Sequence, residues 1–275
     1  MKDFVIFLRS QIRKIPLADL SSNAHAMTYK LLLALFPFLM FLMTVAGFLD
    51  LEIHELLDLI DGIVPEEVVG IVETLGNQVI GVQMAGLLYA SLAIAIFSST
   101  SAFRTLVAGI NKAHGDTDSR HPIFVWGVSF LLVIIFAAAI VLTMAGFIFR
   151  SHVEYILTQT NIVVPALTWL YNLLVIVLTI GFIMVVVLVT NYVSLYKKLS
   201  IKRILPGSIF TVIVWILASY GFSFFVSNFS RMATVYGSVA AIMVLMIWLN
   251  IICHVMLFGG AVNATLLKRR ERGDT

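Results

Sequence analysis

Six continuous apolar stretches, each long enough to cross a bilayer, divide this chain. A helix needs about 20 apolar residues to span a hydrocarbon core of roughly 30 Å. The stretches run Ala24–Leu49, Gly81–Val107, Ile123–Phe149, Val164–Leu195, Ile204–Phe229 and Ala233–Leu267. None alternates apolar and polar positions, so barrel strands fit poorly, whereas helices satisfy their own backbone in lipid. Composition agrees: 12% of residues are charged, where a soluble domain carries about 25%. Hydrophobic residues make up 60%, and the mean hydropathy is +1.02. The expected fold is all-α, a polytopic membrane protein with six transmembrane helices in one domain over residues 1–275.

Basic residues orient the spans, because Lys and Arg are retained on the cytoplasmic side. Lys2, Arg9, Arg13 and Lys14 precede the first span, and Arg104, Lys112 and Arg120 lie at the second connection. Lys197, Lys198, Lys202 and Arg203 join spans four and five, and Lys268, Arg269, Arg270 and Arg272 follow span six. Thus 15 of 18 basic residues fall on one side, against Arg150 and Arg231 on the other, with Lys30 inside span one. Both termini are expected in the cytoplasm and the protein in a bacterial inner membrane. The net charge of +3 and pI near 9.0 follow from this topology. Basic residues spread over four segments do not point to nucleic acid. No signal-peptide pattern precedes Ala24. The single cysteine, Cys253, lies within a span, so neither an internal disulfide nor a thiolate metal cluster is expected.

Two segments outside the spans have a pattern of their own. Within residues 1–20, Phe4, Phe7, Leu8, Gln11, Ile12 and Ile15 recur at helical spacing, with Arg9, Arg13 and Lys14 mostly opposite. That is the pattern of an amphipathic helix lying on the inner leaflet, ended by Pro16. Residues 50–80 carry Asp50, Glu52, Glu55, Asp58, Asp61, Glu66, Glu67 and Glu73 without a single Lys or Arg. Gly62 and Pro65 divide their apolar periodicity, predicting an external acidic helical hairpin.

Catalytic chemistry needs a compact set of acids, bases, nucleophiles or metal ligands, and the sequence offers none. The six histidines are scattered without an HxxxH pair, and no P-loop or GxSxG occurs. Asp116 and Asp118 form a DxD-like pair in a short polar loop, where a turn is the simpler account. No catalytic residue, metal ligand or cofactor is therefore expected. Polar residues inside the spans are better pointers, because lipid makes an unpartnered polar group expensive. Asn111, Asn172, Asn191, Asn250, His254 and Asn263 fit interhelical hydrogen bonds, and Lys30 fits snorkelling to the interface. Arg231, on the side poor in basic residues, calls for a carboxylate such as Glu154 or for an anionic ligand. Small residues four apart, Gly237 with Ala241 and Gly260 with Ala264, predict close helix approach in span six.

Three stretches together carry a resemblance. They are Met27-Thr28-Tyr29-Lys30 leading to Leu35-Phe36-Pro37-Phe38, then Ala108-Gly109-Ile110-Asn111-Lys112-Ala113-His114, and finally Val235-Tyr236-Gly237-Ser238 with Gly259-Gly260-Ala261-Val262-Asn263-Ala264. In this order they resemble the YihY/BrkB family of bacterial inner-membrane proteins over the whole chain. Lys30 and His114 depart from the pattern, which carries aromatic residues there. The resemblance implies six spans with cytoplasmic termini. The family's old ribonuclease label finds no catalytic cluster here, and similarity to envelope proteins linked to lipid export implies transport.

The functional expectation is a transporter or flippase-like exporter of an amphiphilic anionic envelope molecule, passive or ion-coupled in the absence of an ATP-binding motif. Arg104, Asn111, Lys112, Asn191, Arg231, Tyr236 and Asn263 are the expected substrate-binding set. A non-transporting scaffold of envelope assembly is the alternative, and a membrane-embedded ribonuclease ranks below both. A transporter should hold a cavity reaching the midplane, whereas a scaffold should be packed solid. Expected partners are membrane lipids and a lipid-like or anionic substrate; the pattern is compatible with a homo-oligomer and gives nucleic acid no role.

Overall fold

The structure is a computed structural model describing residues 17–48, 73, 85–115, 118–159, 165–228 and 238–271. The expected interfacial helix, apart from residues 17–20, and the acidic hairpin, apart from Glu73, lie outside the described residues. Six helices follow one another: α1 Leu17–Phe48, α2 Ala85–His114, α3 Pro122–Gln159, α4 Pro165–Ser194, α5 Ile201–Asn228 and α6 Ser238–Glu271. All six are long and apolar enough to span a membrane.

Their ends follow from local chemistry. Proline opens α3 and α4 at the first helical position, where its missing N–H has no intrahelical acceptor to lose. Gly115 closes α2 at φ 78, its N–H donating to the Lys112 carbonyl at 3.0 Å. That left-handed conformation suits glycine and stops the helix. Inside the helices, hydroxyls are satisfied by their own backbone: Thr28 donates to Ala24 O, Ser129 to Val125 O and Thr190 to Val186 O. This lets short polar side chains sit in an apolar bundle. α2 runs two turns beyond the sequence-based boundary, because Gly109, Ile110 and Ala113 continue a buried helical face past Val107.

Successive helices pack against each other, and α6 returns to α1, closing a ring in which α2 also touches α6 and α4. α1, α3 and α5 start, and α2, α4 and α6 finish, at one end of this bundle. Lys112, Arg120, Lys197, Lys198, Lys202, Arg203 and Lys268 gather there, and it is called the basic end below. The core belongs to that half: Leu20, Leu106, Ile110, Leu132, Val187, Leu195, Ile204 and Leu257 are all fully buried within it.

Candidate functional site

The polar interior of the basic half is assembled by three asparagines. Asn111 on α2 donates to Val107 O at 2.8 Å and to Ser194 O at 2.9 Å, and accepts from the Tyr196 N–H at 2.7 Å. Ser194 is the last residue of α4, so its carbonyl has no partner within the helix. Arg120 donates to that same carbonyl at 3.0 Å, placing a cation at the negative end of the α4 dipole. Asp118 holds Arg120 through Nε at 2.8 Å and through Nη2. The hydrogen bonds from Arg120 keep the Asp118 carboxyl below its ordinary value, and they outweigh the burial that would raise it. Lys268 from α6 adds a bond to Ala113 O at 3.3 Å near the end of α2. The basic end is thereby stitched shut across α2, α4 and α6.

Deeper in, α5 and α6 meet backbone to backbone. Pro206 interrupts the helical ladder of α5, and the next N–H, of Gly207, donates to Asn263 Oδ1 at 2.6 Å. A Cβ on Gly207 would collide with the Gly259 carbonyl and with Asn263, and one on Gly259 would collide with Thr211. Asn191 on α4 donates to Ser208 Oγ on α5 at 3.3 Å. Asn263 Nδ2 and the Thr100 hydroxyl are buried without a hydrogen-bond partner among the described residues. Buried donors of this kind normally find an acceptor.

Toward the other end, the same helix faces emerge into the open. About 18 residues make five turns at roughly 3.6 per turn, so positions spaced that way share a face. On α4, Val187 and Asn191 are buried, yet Trp169 is 67% and Leu173 41% exposed. On α6, Ala261 and Ala264 are buried, yet Met243 and Met246 are each 49% exposed. On α2, Val107 is buried and Tyr89 is 69% exposed; on α1, Leu20 is buried and Phe38 is 37% exposed. α5 behaves differently: Phe222, on the face of buried Ile204, stays half-buried against Trp248 of α6 with ring centroids 4.8 Å apart. α4 therefore exposes its apolar, aromatic face in that half of the molecule, termed the vestibule, whereas Thr44, Ser91, Ala95, Ala240 and Val244 of α1, α2 and α6 stay buried there. On α4 the exposure of this face begins at Ile180, which lies about 21 Å from the end of the helix.

The expected binding set divides across this arrangement. Asn191 and Asn263 lie together beside Gly207 and Ser208, and Asn111 lies next to them in the stitched end. Arg104 is apart, on the α2–α3 flank, with its guanidinium 4.9 Å from the centre of the Trp126 ring. Lys112 points outward and pairs with Asp19 at 2.9 Å. Arg231 and Tyr236, and the Asp116 side chain, lie outside the described residues. Asp118, the described half of the DxD-like pair, is already committed to Arg120.

One constellation was invisible in the sequence. His25 of α1 and His254 of α6 stand edge to face, with ring centroids 5.1 Å apart. His254 Nδ1 lies 2.8 Å from the Asn250 carbonyl and must donate to it. In a neutral ring Nε2 then accepts from the Ser21 hydroxyl at 3.3 Å. Ser21 Oγ accepts in turn from His25 Nε2 at 3.1 Å, and His25 Nδ1 accepts from Asn250 Nδ2 at 2.8 Å. The remaining Asn250 N–H reaches Thr28 Oγ1 at 3.2 Å. With that tautomer pattern the hydrogen bonds run in one direction and clasp α1 to α6. Only the helix crossing, which brings positions so distant in sequence together, reveals it.

Residues 12–275 match the family described as Virulence factor BrkB. The chain belongs to that family. It is 30% identical to the "Putative ribonuclease-like protein YfkH" of Bacillus subtilis, over 98% of both chains. It is 32% identical to a "UPF0761 membrane protein" of Pseudoalteromonas translucida over 32% of this chain and 27% of that one. A further UPF0761 membrane protein, from Vibrio campbellii, is 25% identical over 57% of this chain and 48% of its own length. No solved structure matches the chain. Family and spans together make it an integral, multi-pass membrane protein.

Proposed function

We propose that this BrkB-family protein translocates an amphiphilic, anionic envelope molecule along the space bounded by α1, α2, α4 and α6, with the basic end facing the cytoplasm. The observation that carries the reading is the change in exposure along single helix faces, buried at the basic end and open about five turns away. The apolar wall suits hydrocarbon, and the unpartnered donors of Thr100 and Asn263 suit the oxygens of a polar head. The stitched end below is the barrier that must open, and its parts are hydrogen bonds to carbonyls that a small shift of α4 would release.

Purified protein in vesicles tests this directly, with a fluorescent anionic phospholipid in one leaflet and matched zwitterionic lipid as the comparison. Wild type should move the anionic probe faster than protein-free vesicles, and Leu173→Trp or Ile180→Trp should slow it by filling the vestibule. Equal rates with and without protein, across a panel of anionic head groups, would refute the proposal.

A further inference from the structure

Lys30 and Arg104 place two cations within the spans Ala18–Phe41 and Gly86–His114, Lys30 reaching from α1 onto α2 and Arg104 from α2 toward α3. Among the described residues the ion pairs are Lys112 with Asp19 and Arg120 with Asp118, so no described carboxylate compensates either one. Lys30 donates only to neutral groups, Thr105 Oγ1 at 2.7 Å and Ser101 O at 3.4 Å. Thr105 is the residue next to Arg104, so Lys30 is held by α2 one position from the second cation. Simple snorkelling of Lys30 does not account for this, because its ammonium is turned onto α2.

The aromatic surroundings of Arg104 identify what would relieve it. Arg104 lies over Trp126 at 4.9 Å, and Trp126 packs on Phe97 at 5.4 Å. Trp126 is in the first turns of α3, about 6 Å from its start. Tryptophan at that level marks the bilayer interface, where phosphate groups lie. Holding like charges together in a partly apolar setting is unfavourable unless an anion bridges them. We propose that Lys30 and Arg104 form a site for the phosphodiester of an anionic phospholipid, with Trp126 and Phe97 against its glycerol and upper acyl segments. This site opens sideways to the bilayer and does not depend on translocation through the vestibule.

The test uses full-length protein in detergent, with bound lipid counted by native mass spectrometry after addition of phosphatidylglycerol or chain-matched phosphatidylcholine. Wild type should retain phosphatidylglycerol about tenfold more tightly than phosphatidylcholine. The double substitution Lys30→Gln with Arg104→Gln should bring the two lipids level, while Lys112→Gln, which removes the cation paired with Asp19, should leave the preference intact. If the double variant unfolds, Lys30→Gln alone, which keeps a donor for Thr105, should still cut the preference severalfold. Unchanged preference in the folded variants overturns the site, and so does an equal loss in Lys112→Gln, which would mean general charge attraction. Displacement of the lipid by millimolar inorganic phosphate would assign the site to free phosphate and overturn the lipid.

Discussion

Gly259 and Gly207 show how a single hydrogen atom decides a helix crossing. A Cβ at Gly259 meets Thr211, while the Gly207 carbonyl lies 3.0 Å away, and backbone cannot step aside as a flexible side chain can. Gly259→Ala should therefore destabilise the protein by about 1–3 kcal/mol or more through overpacking. Gly221 has open space around it, so Gly221→Ala should be neutral or gain a few tenths to about 1 kcal/mol from helix propensity. Thermal unfolding midpoints in one detergent check both. Asn111 argues similarly for hydrogen bonds. Asn111→Ala would strand the Tyr196 N–H and leave the Ser194 carbonyl to Arg120, costing about 1–3 kcal/mol. A midpoint matching wild type would show that other groups take over these bonds. That Gly260 would pack closely was legible in the sequence. That Gly207 would face Gly259 was not, because the partner glycine lies on another helix and follows a proline.

The end of α4 illustrates the next scale, since its last carbonyl is held by Asn111 from α2 and Arg120 from the α2–α3 connection. Arg120 in turn depends on an ionised Asp118. The Asp118 carboxyl is held low in the folded protein, so its contribution is complete above the unfolded value of about 3.9 and fades as pH falls through the lower folded value. Asp118→Asn should remove that acid-dependent part, flattening the stability profile between about pH 5 and pH 2. Amide exchange around residues 190–196 should rise in Arg120→Met at neutral pH, because the α4 terminus loses its cation. Unchanged protection there would show that Asn111 alone fastens the helix. The sequence identifies Asn111 and Arg120 as polar residues near a boundary. It does not reveal that they converge on one carbonyl, because Ser194 is distant in the chain and only the α2–α4 contact joins them.

For the molecule as a whole, the vestibule makes a prediction that depends on no single bond. With buried Cys253 as the only native thiol, cysteines introduced at Leu173 and Met246 should react with a water-soluble maleimide in membranes, and those at Val187 and Ala264 should not. Protection of all four from that reagent, with Leu173 and Met246 still reactive to a lipid-soluble maleimide, would make the opening a lipid-filled groove instead. The six spanning helices among the described residues and the all-α class were legible in the sequence alone, because hydrocarbon imposes one demand, about 20 apolar residues satisfying their own backbone, that is written locally. The gathering of Lys and Arg at one end is equally local, being a property of connections. The clasp of His25 with His254, the seats of Lys30 on Thr105 and of Arg104 over Trp126, and the exposure of α4 from Ile180 outward were decided only by the tertiary structure. Each depends on the angle and register at which two apolar helices cross, and lipid-facing and partner-facing surfaces are both built from the same leucines, valines and isoleucines.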